Sequence, residues 1–117
     1  MSGKGIKSGA SPDRVVRLLG TITPESSRVA IEALLSLDHA AEHPIQLHLT
    51  TPGGCVFSGL AVIDVMNGLR SPVFPIALGI VASMGAIILA AGERGHRYAL
   101  SHARIMIHGV WGQSSGK

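Results

Sequence analysis

Ser83 lies in Ala82-Ser83-Met84-Gly85, between an apolar run that reads as a strand and another that reads as a helix. His108 closes the run Arg104-Ile105-Met106-Ile107. A serine hydroxyl and an imidazole together can perform acyl transfer. The imidazole takes the hydroxyl proton during attack and returns it to the leaving amine. Such a pair is normally completed by a third group, most often a carboxylate, that holds the imidazole in its working tautomer. No acidic residue follows Glu93. The expectation is a site that carries most of its parts and lacks its orienting acid.

The chemistry also needs two backbone N–H groups converging where negative charge develops on the attacked carbonyl. Gly54, in the turn Thr51-Pro52-Gly53-Gly54, and Met84, directly after the serine, are the natural donors. A glycine presents its N–H with no side chain in the way. A serine placed where a strand turns into a helix has the following N–H beside its own hydroxyl. On its own, a Ser-x-Gly sequence is most often a helix cap, and the weight here lies in the combination.

The elements that must position these residues alternate along the chain. Val15 to Leu19 reads as a short strand. Thr23-Pro24 starts a helix, with Thr23 as N-cap and Pro24 at the first helical position. That helix runs to about Ala41, with Val29, Ala33 and Leu37 on one face beside Ala30 and Leu34, and His43-Pro44 ends it. Ile45 to Thr50 alternates as a strand, with Ile45, Leu47 and Leu49 on one side. A helix follows from about Val56 to Leu69, with Val56, Leu60 and Ile63 as its apolar spacing beside Phe57, Ala61 and Val65. Val73 to Val81 is wholly apolar, as buried parallel strands are. Ser83 to Ala91 reads as a helix stopped by Gly92. Arg97 to Leu100 and Arg104 to Ile107 read as short strands, and residues 109–117 show no periodicity. The pattern predicts an α/β domain over residues 14–117 with mainly parallel strands and crossover helices, preceded by a loose arm over 1–13. Ligands in such sheets bind at the carboxyl ends of the strands, where both candidate turns fall.

Composition narrows the classes. The chain has 117 residues, 46% hydrophobic and 15% charged, which suits one well-buried domain and argues against disorder. The net charge of +3 is carried by residues 1–17, where Lys4, Lys7, Arg14 and Arg17 face only Asp13. A basic, Gly/Ser-rich start reads as a solvated arm. No aromatic residue interleaves with it to stack on bases, so no nucleic-acid partner is expected. Cys55 is the single cysteine, so a reducing, cytoplasmic setting fits best. No apolar core follows the basic start, which argues against a secretory signal. Val73 to Ala91 is uncharged and long enough to cross a membrane. Pro75, Gly79, Ser83 and Gly85 interrupt it, and a strand followed by a helix is the better reading.

Other motifs point elsewhere less well. His39-Ala40-Ala41-Glu42-His43 matches an inverted zinc-protease motif. It sits at a helix end beside Pro44 and lacks a further ligand, so no metal is expected. Cys55 could be offered as a thiol nucleophile, but nothing besides the turn singles it out. His48, His96 and His102 lack paired acids or ligand spacing. A Ser–Lys dyad would need a lysine after Ser83, and only Lys117 is available.

Taken together, Leu49-Thr50-Thr51-Pro52-Gly53-Gly54, Ala61-Val62-Ile63-Asp64-Val65-Met66, Ala82-Ser83-Met84-Gly85-Ala86 and Arg104-Ile105-Met106-Ile107-His108 resemble the Clp proteolytic subunit family, ClpP. The spacing follows the family without gaps from about Arg14 to His108. The resemblance implies a crotonase-like α/β fold, a ββα superhelix. It implies Ser83 as nucleophile, His108 as general base, and Gly54 with Met84 as the oxyanion hole. It also implies peptide or unfolded-protein substrates, a homo-oligomeric ring or an assembly with intact ClpP subunits, an AAA+ unfoldase partner, and no metal or cofactor.

The sequence departs from the family after His108. Gly109-Val110 stand where Gln-Pro is common, and the triad aspartate and the handle region through which rings stack have no counterpart. Asp64, on a packing helix, is a poor substitute. The expectation is therefore a truncated or degenerate serine peptidase subunit, weakened or inactive. A non-catalytic ring partner is the alternative. A crotonase-type acyl-CoA enzyme would share the fold and the paired N–H groups but normally lacks the serine.

Overall fold

The computed structural model describes residues 13–107. The described chain runs β1 (Val15–Leu19), α1 (Pro24–Ala40), β2 (Ile45–Thr51), α2 (Val56–Gly68), β3 (Val73–Ala82), α3 (Met84–Ala90), β4 (Tyr98–Ala99) and β5 (Arg104–Met106). All strand pairs are parallel. The order is β1-β2-β3-β4, with β5 pairing β3 beyond β4. Sequential parallel strands with crossovers of one hand place their helices on one face. Consistent with this, α1 packs on α2 and α2 on α3. The uncharged stretch from Val73 to Ala91 is thus a strand and a short helix. No helix among the described residues is long and apolar enough to cross a membrane.

The core lies between sheet and helices. Val16 and Leu18 of β1, Ile45, Leu47 and Leu49 of β2, and Val73, Ala77 and Val81 of β3 meet Ala30, Leu34, Val62, Met66, Met84 and Ile88. The alternation expected of β2 holds, while Gln46, His48 and Thr50 face the other side of the sheet. There His48 Nε2 and Gln46 Oε1 stand 2.8 Å apart. Burial, and then the Arg17 charge, push the His48 pKa below its ordinary value. His96 stacks on Phe74 with ring centroids 4.1 Å apart.

Thr23 caps α1 as expected. Ser26 N–H donates to Thr23 Oγ1 at 3.0 Å, and Thr23 N–H donates to Ser26 Oγ at 2.9 Å, a reciprocal box closed by serine. The helix faces are a partial correction. On α1 the buried positions are Ser27, Ala30 and Leu34, while Val29 is exposed. On α2 they are Ser58, Gly59, Val62 and Met66, and Val56, Phe57 and Leu60 point outward. The cause is close approach. Ser27 Oγ donates to Ser58 O at 2.9 Å, and a Cβ on Gly59 would stand 2.3 Å from Met84 Cγ. Only small residues let α2 sit against its neighbours at this distance, so the larger side chains turn away.

Arg14, counted with the basic charges of the chain's start, opens the domain expected over 14–117, and the sequence alone assigns it no role. Arg14 is only 7% exposed. Its guanidinium donates to Leu37 O (3.0 Å), Ala41 O (2.8 Å), His43 O (2.9 Å) and Pro44 O (3.3 Å), and reaches Ser71 Oγ at 3.4 Å. These carbonyls belong to the end of α1 and the turn that leaves it, where backbone donors run out, and among the described residues only Leu37 O also accepts one, the N–H of Ala41 at 3.2 Å. The positive charge also meets the negative end of the α1 dipole. Asp38 holds the next segment by accepting from Ser71 N–H at 2.8 Å and Arg70 N–H at 3.4 Å. These bonds hold the Asp38 carboxyl below its usual range.

Replacing Arg14 by Met strips donors from several carbonyls at once. We expect Arg14→Met to destabilise the fold by about 3 kcal/mol or more, read from the urea unfolding midpoint. Arg14→Lys should recover less than half of that, because an ammonium cannot span the fork of carbonyls.

Candidate active site

Two turns meet at the carboxyl ends of β2 and β3. The first is Thr51-Pro52-Gly53-Gly54, with Gly53 at φ 106° and Gly54 at φ 148°. Three hydrogen bonds fix it. Gly53 N–H donates to Thr51 Oγ1 at 3.0 Å, Ile22 N–H donates to Gly53 O at 2.9 Å, and Cys55 N–H donates to Ile22 O at 2.9 Å. A Cβ on Gly54 would fall 2.2 Å from Ile22 O, so only glycine fits. Every buried backbone donor needs a partner, and the turn can be accounted for in full. Pro52 has no donor, and those of Gly53 and Cys55 are used. Gly54 N–H is left without an acceptor among the described residues.

The second turn is Ser83. Its φ of 53° and ψ of −120° make it the one non-glycine residue with positive φ among those described. These dihedrals are those of the first central position of a type II′ turn, which glycine normally fills. A side chain there costs about 1–3 kcal/mol unless its surroundings impose it. Those surroundings are bonded on both sides. Ser83 N–H donates to Met106 O at 2.8 Å, and Ser83 O accepts from Ala86 N–H at 2.9 Å. The side chain makes no capping bond to α3, although it occupies the cap position. Met84 N–H, like that of Gly54, has no acceptor among the described residues.

An irregularity in β3 brings the turns together. Leu49 pairs with Ala77 but Thr51 pairs with Val81, so β3 carries two extra residues over this stretch. Gly79, at φ 59°, takes up the bend, and Thr50 Oγ1 donates to Ile80 O at 3.2 Å. On the other side, the break between β4 and β5 matches the bulge, since β4 pairs Ile76 and Ala77 while β5 begins at Ile80. Such bulges re-aim the residues that follow them. The result is direct contact between the turns. A Cβ on Gly53 would stand 2.9 Å from Ser83 Cβ, 3.2 Å from Ala82 O and 3.6 Å from Met84 N.

Gly54, Ser83 and Met84 thus share one rim. His108 lies outside the described residues, which end at Ile107. The carboxylates are placed elsewhere. The Asp38 carboxylate holds backbone N–H groups just before β3, Glu93 stands beside the start of β3 through its own N–H to Val73 O, and Asp13 and Glu42 precede β1 and β2 at that same amino end. Glu25 and Glu32 pair with Arg28, and Asp64 is exposed on α2.

The remaining motifs separate from the rim. His39 belongs to the last turn of α1, whereas Glu42 and His43 follow it, so the H-x-x-E-H residues do not share a helix. The expectation that nothing singles out Cys55 needs correction. It is the N-cap of α2, its Sγ accepts from Ser58 N–H at 3.4 Å, and hydrogen bonding from Ser58 holds its thiol below the ordinary pKa. Sequence reading missed Thr51, whose hydroxyl organises the glycine turn. Its position two residues before Gly53 is the only signal that could have pointed to it.

The strain at Ser83 has a measurable consequence. Ser83→Gly should be more stable than Ser83→Ala by about 1 kcal/mol, because only glycine adopts the turn freely. Thermal unfolding of the two variants reads the difference, and equal stability would contradict a strained turn.

Two comparisons with known proteins bear on this rim and sheet. The Clp protease family model matches residues 4–117. The crystal structure of the ClpP protease catalytic domain from Plasmodium falciparum superposes with a TM-score of 0.80 at 38% sequence identity. The match covers 82% of this chain and 55% of that one, so the chain spans little more than half the length of the protein it resembles. With an all-parallel α/β sheet and its two turns set as described, the chain belongs to the Clp protease family.

Proposed function

We propose that the chain is a ClpP-type serine peptidase subunit in which Ser83 is the nucleophile and His108 the general base. Ser83 Oγ attacks the scissile carbonyl, and a C–O bond forms as the hydroxyl proton passes to the His108 imidazole. The C–N bond then breaks, the leaving amine takes that proton, and water hydrolyses the acyl-enzyme by the same exchange. Gly54 N–H and Met84 N–H stabilise the oxyanion.

The observation that carries this reading is Ser83 itself: a non-glycine residue held at positive φ whose hydroxyl does not cap its helix. A serine serving only as a helix cap would make the bond that is missing here. The unused donors of Gly54 and Met84 support the same reading, as does β5, since position 108 follows two residues after Met106, the acceptor for Ser83 N–H. The placement of the carboxylates at other parts of the fold favours a Ser–His pair working without an acid from residues 13–107. A pair without its orienting acid turns over about 10⁴-fold more slowly than a full triad. Nucleophilicity is therefore best read by acylation rather than by peptide turnover.

The substrates we propose are peptides and unfolded proteins, delivered by an AAA+ unfoldase in a reducing, cytoplasmic compartment, where the half-exposed thiol of Cys55 stays free. Assembly with further subunits, whether copies of this chain or intact ClpP subunits, is supported by α2. That helix carries apolar residues on every side, with Asp64 and Asn67 as its exposed polar positions. Yet Phe57 is 83% exposed, with Val56 and Leu60 outward beside it. A monomer gains nothing from such a surface, and a subunit contact buries it.

A fluorophosphonate probe should label the folded chain at Ser83, as located by peptide mass mapping, and Ser83→Ala should abolish labelling. His108→Ala should slow labelling about 100-fold or more. Folded protein that resists the probe would sink the reading. Sedimentation should show oligomers for the parent chain and smaller species for Phe57→Glu; a monomeric parent would remove the assembly proposal.

A further inference from the structure

We propose that Thr51 is a positioning residue for the oxyanion-stabilising turn, acting through its hydroxyl on one side and its methyl group on the other. This rests on the reading of Ser83 and Gly54 given above. Thr51 ends β2 and is 1% exposed. Its Oγ1 accepts Gly53 N–H at 3.0 Å and lies 3.4 Å from Gly53 O. By taking the Gly53 donor, the hydroxyl leaves Gly54 as the single uncommitted N–H of the turn and fixes the direction in which that N–H points. Without the hydroxyl, Gly53 N–H would be a buried donor with no partner, and the Pro52–Gly53 peptide would be drawn to rotate toward another acceptor. Gly53 O, which shares its peptide with Gly54 N–H, would lose its contact with Oγ1 as well.

The methyl group works on the second turn. A Cβ on Gly85 would fall 2.4 Å from Thr51 Cγ2, so the methyl occupies the space that a side chain at position 85 would need. Val81 Cγ1, 3.3 Å from the same point, closes the far side. The start of α3, with Met84 N–H, is therefore seated on Thr51 Cγ2. One buried side chain thus sets the separation of the two donors, one from each turn. Oxyanion stabilisation depends on that separation, since donors must meet the oxygen at hydrogen-bond distance in the transition state.

The two halves of the side chain can be tested apart in the full-length chain, with a fluorophosphonate as the probe. Thr51→Val keeps the methyl and removes the hydroxyl. It should lower the maximal acylation rate at Ser83 on the order of 10- to 100-fold with little change in probe affinity, and Gly53 should lose amide-exchange protection. Thr51→Ser keeps the hydroxyl and removes the methyl; it should retain the Gly53 protection and lose only a few-fold in rate, on the order of 10-fold less than the loss in Thr51→Val. Gly85→Ala should slow acylation, and combining it with Thr51→Ser, which moves the methyl from one residue to the other, should restore most of the loss.

A merely structural Thr51 would show the reverse order, with Thr51→Ser impaired and Thr51→Val tolerated, because packing follows the methyl. That order, or a Thr51→Val variant labelled at the parent's rate, would overturn the proposal while leaving the Ser83 reading intact. Should Thr51→Val not fold, the swap decides: a double variant no faster than Gly85→Ala alone overturns the proposal. A folded parent that takes no label removes the Ser83 reading and the positioning role together.

Discussion

The backbone at Ser83 turns through a conformation that residues with side chains avoid, and three separate segments hold it there. β5 supplies Met106 O to its N–H, α3 returns a hydrogen bond to its carbonyl, and Gly53 lies against its Cβ. None of these contacts is local in sequence except the one from α3. The strain is imposed by tertiary structure, and much of the carboxyl end of the sheet is arranged around it. The bulge in β3, the break between β4 and β5, and the glycine turn after β2 all serve to bring these segments to one place. Strained positions persist only where their surroundings over-determine them.

The two ends of the sheet divide the work. At the amino end, Arg14 and Asp38 satisfy the carbonyls and amides where α1 returns to β2 and α2 to β3. Those bonds tie the end of α1 to the segments that enter β1 and β3. At the carboxyl end the reverse holds, and the donors of Gly54 and Met84 stand without acceptors among the described residues. A fold can leave polar groups open at one end because the other end is closed tightly. The chemistry of a polarised carbonyl belongs where the donors are free.

The α/β order, the bounds of α1 and β2, and the cap at Thr23 were legible because each rests on residues adjacent in the chain. Thr23-Pro24 is a helix-start signal contained in two adjacent residues, and the alternation of Ile45, Leu47 and Leu49 needs only one buried face. The buried face of α2 was not legible. Apolar residues occur on every side of that helix, so periodicity cannot choose among them, and the choice fell to Ser58 and Gly59 because small residues permit close approach. The role of Arg14 was not legible for a related reason. Its neighbours in sequence are the basic arm, while its partners lie more than twenty residues away at the end of α1.

Residue types and spacing alone determined that a serine would stand between a strand and a helix, that a glycine turn would close the preceding βα unit, and that the strands would be mainly parallel. These follow from propensities and local pattern, which operate within a few residues. Only the tertiary structure decided that Ser83 would adopt a positive φ, that its hydroxyl would leave the helix uncapped, and that Thr51 would occupy the donor of Gly53 so that Gly54 is the one left open. The bond from Gly53 to Thr51 is local but forms only in the turn that Ile22 holds, and the other two depend on contacts between segments far apart in the chain, the glycine turn with Ser83 and β3 with β5. Such contacts are set by the register of the sheet, which no single stretch of sequence contains.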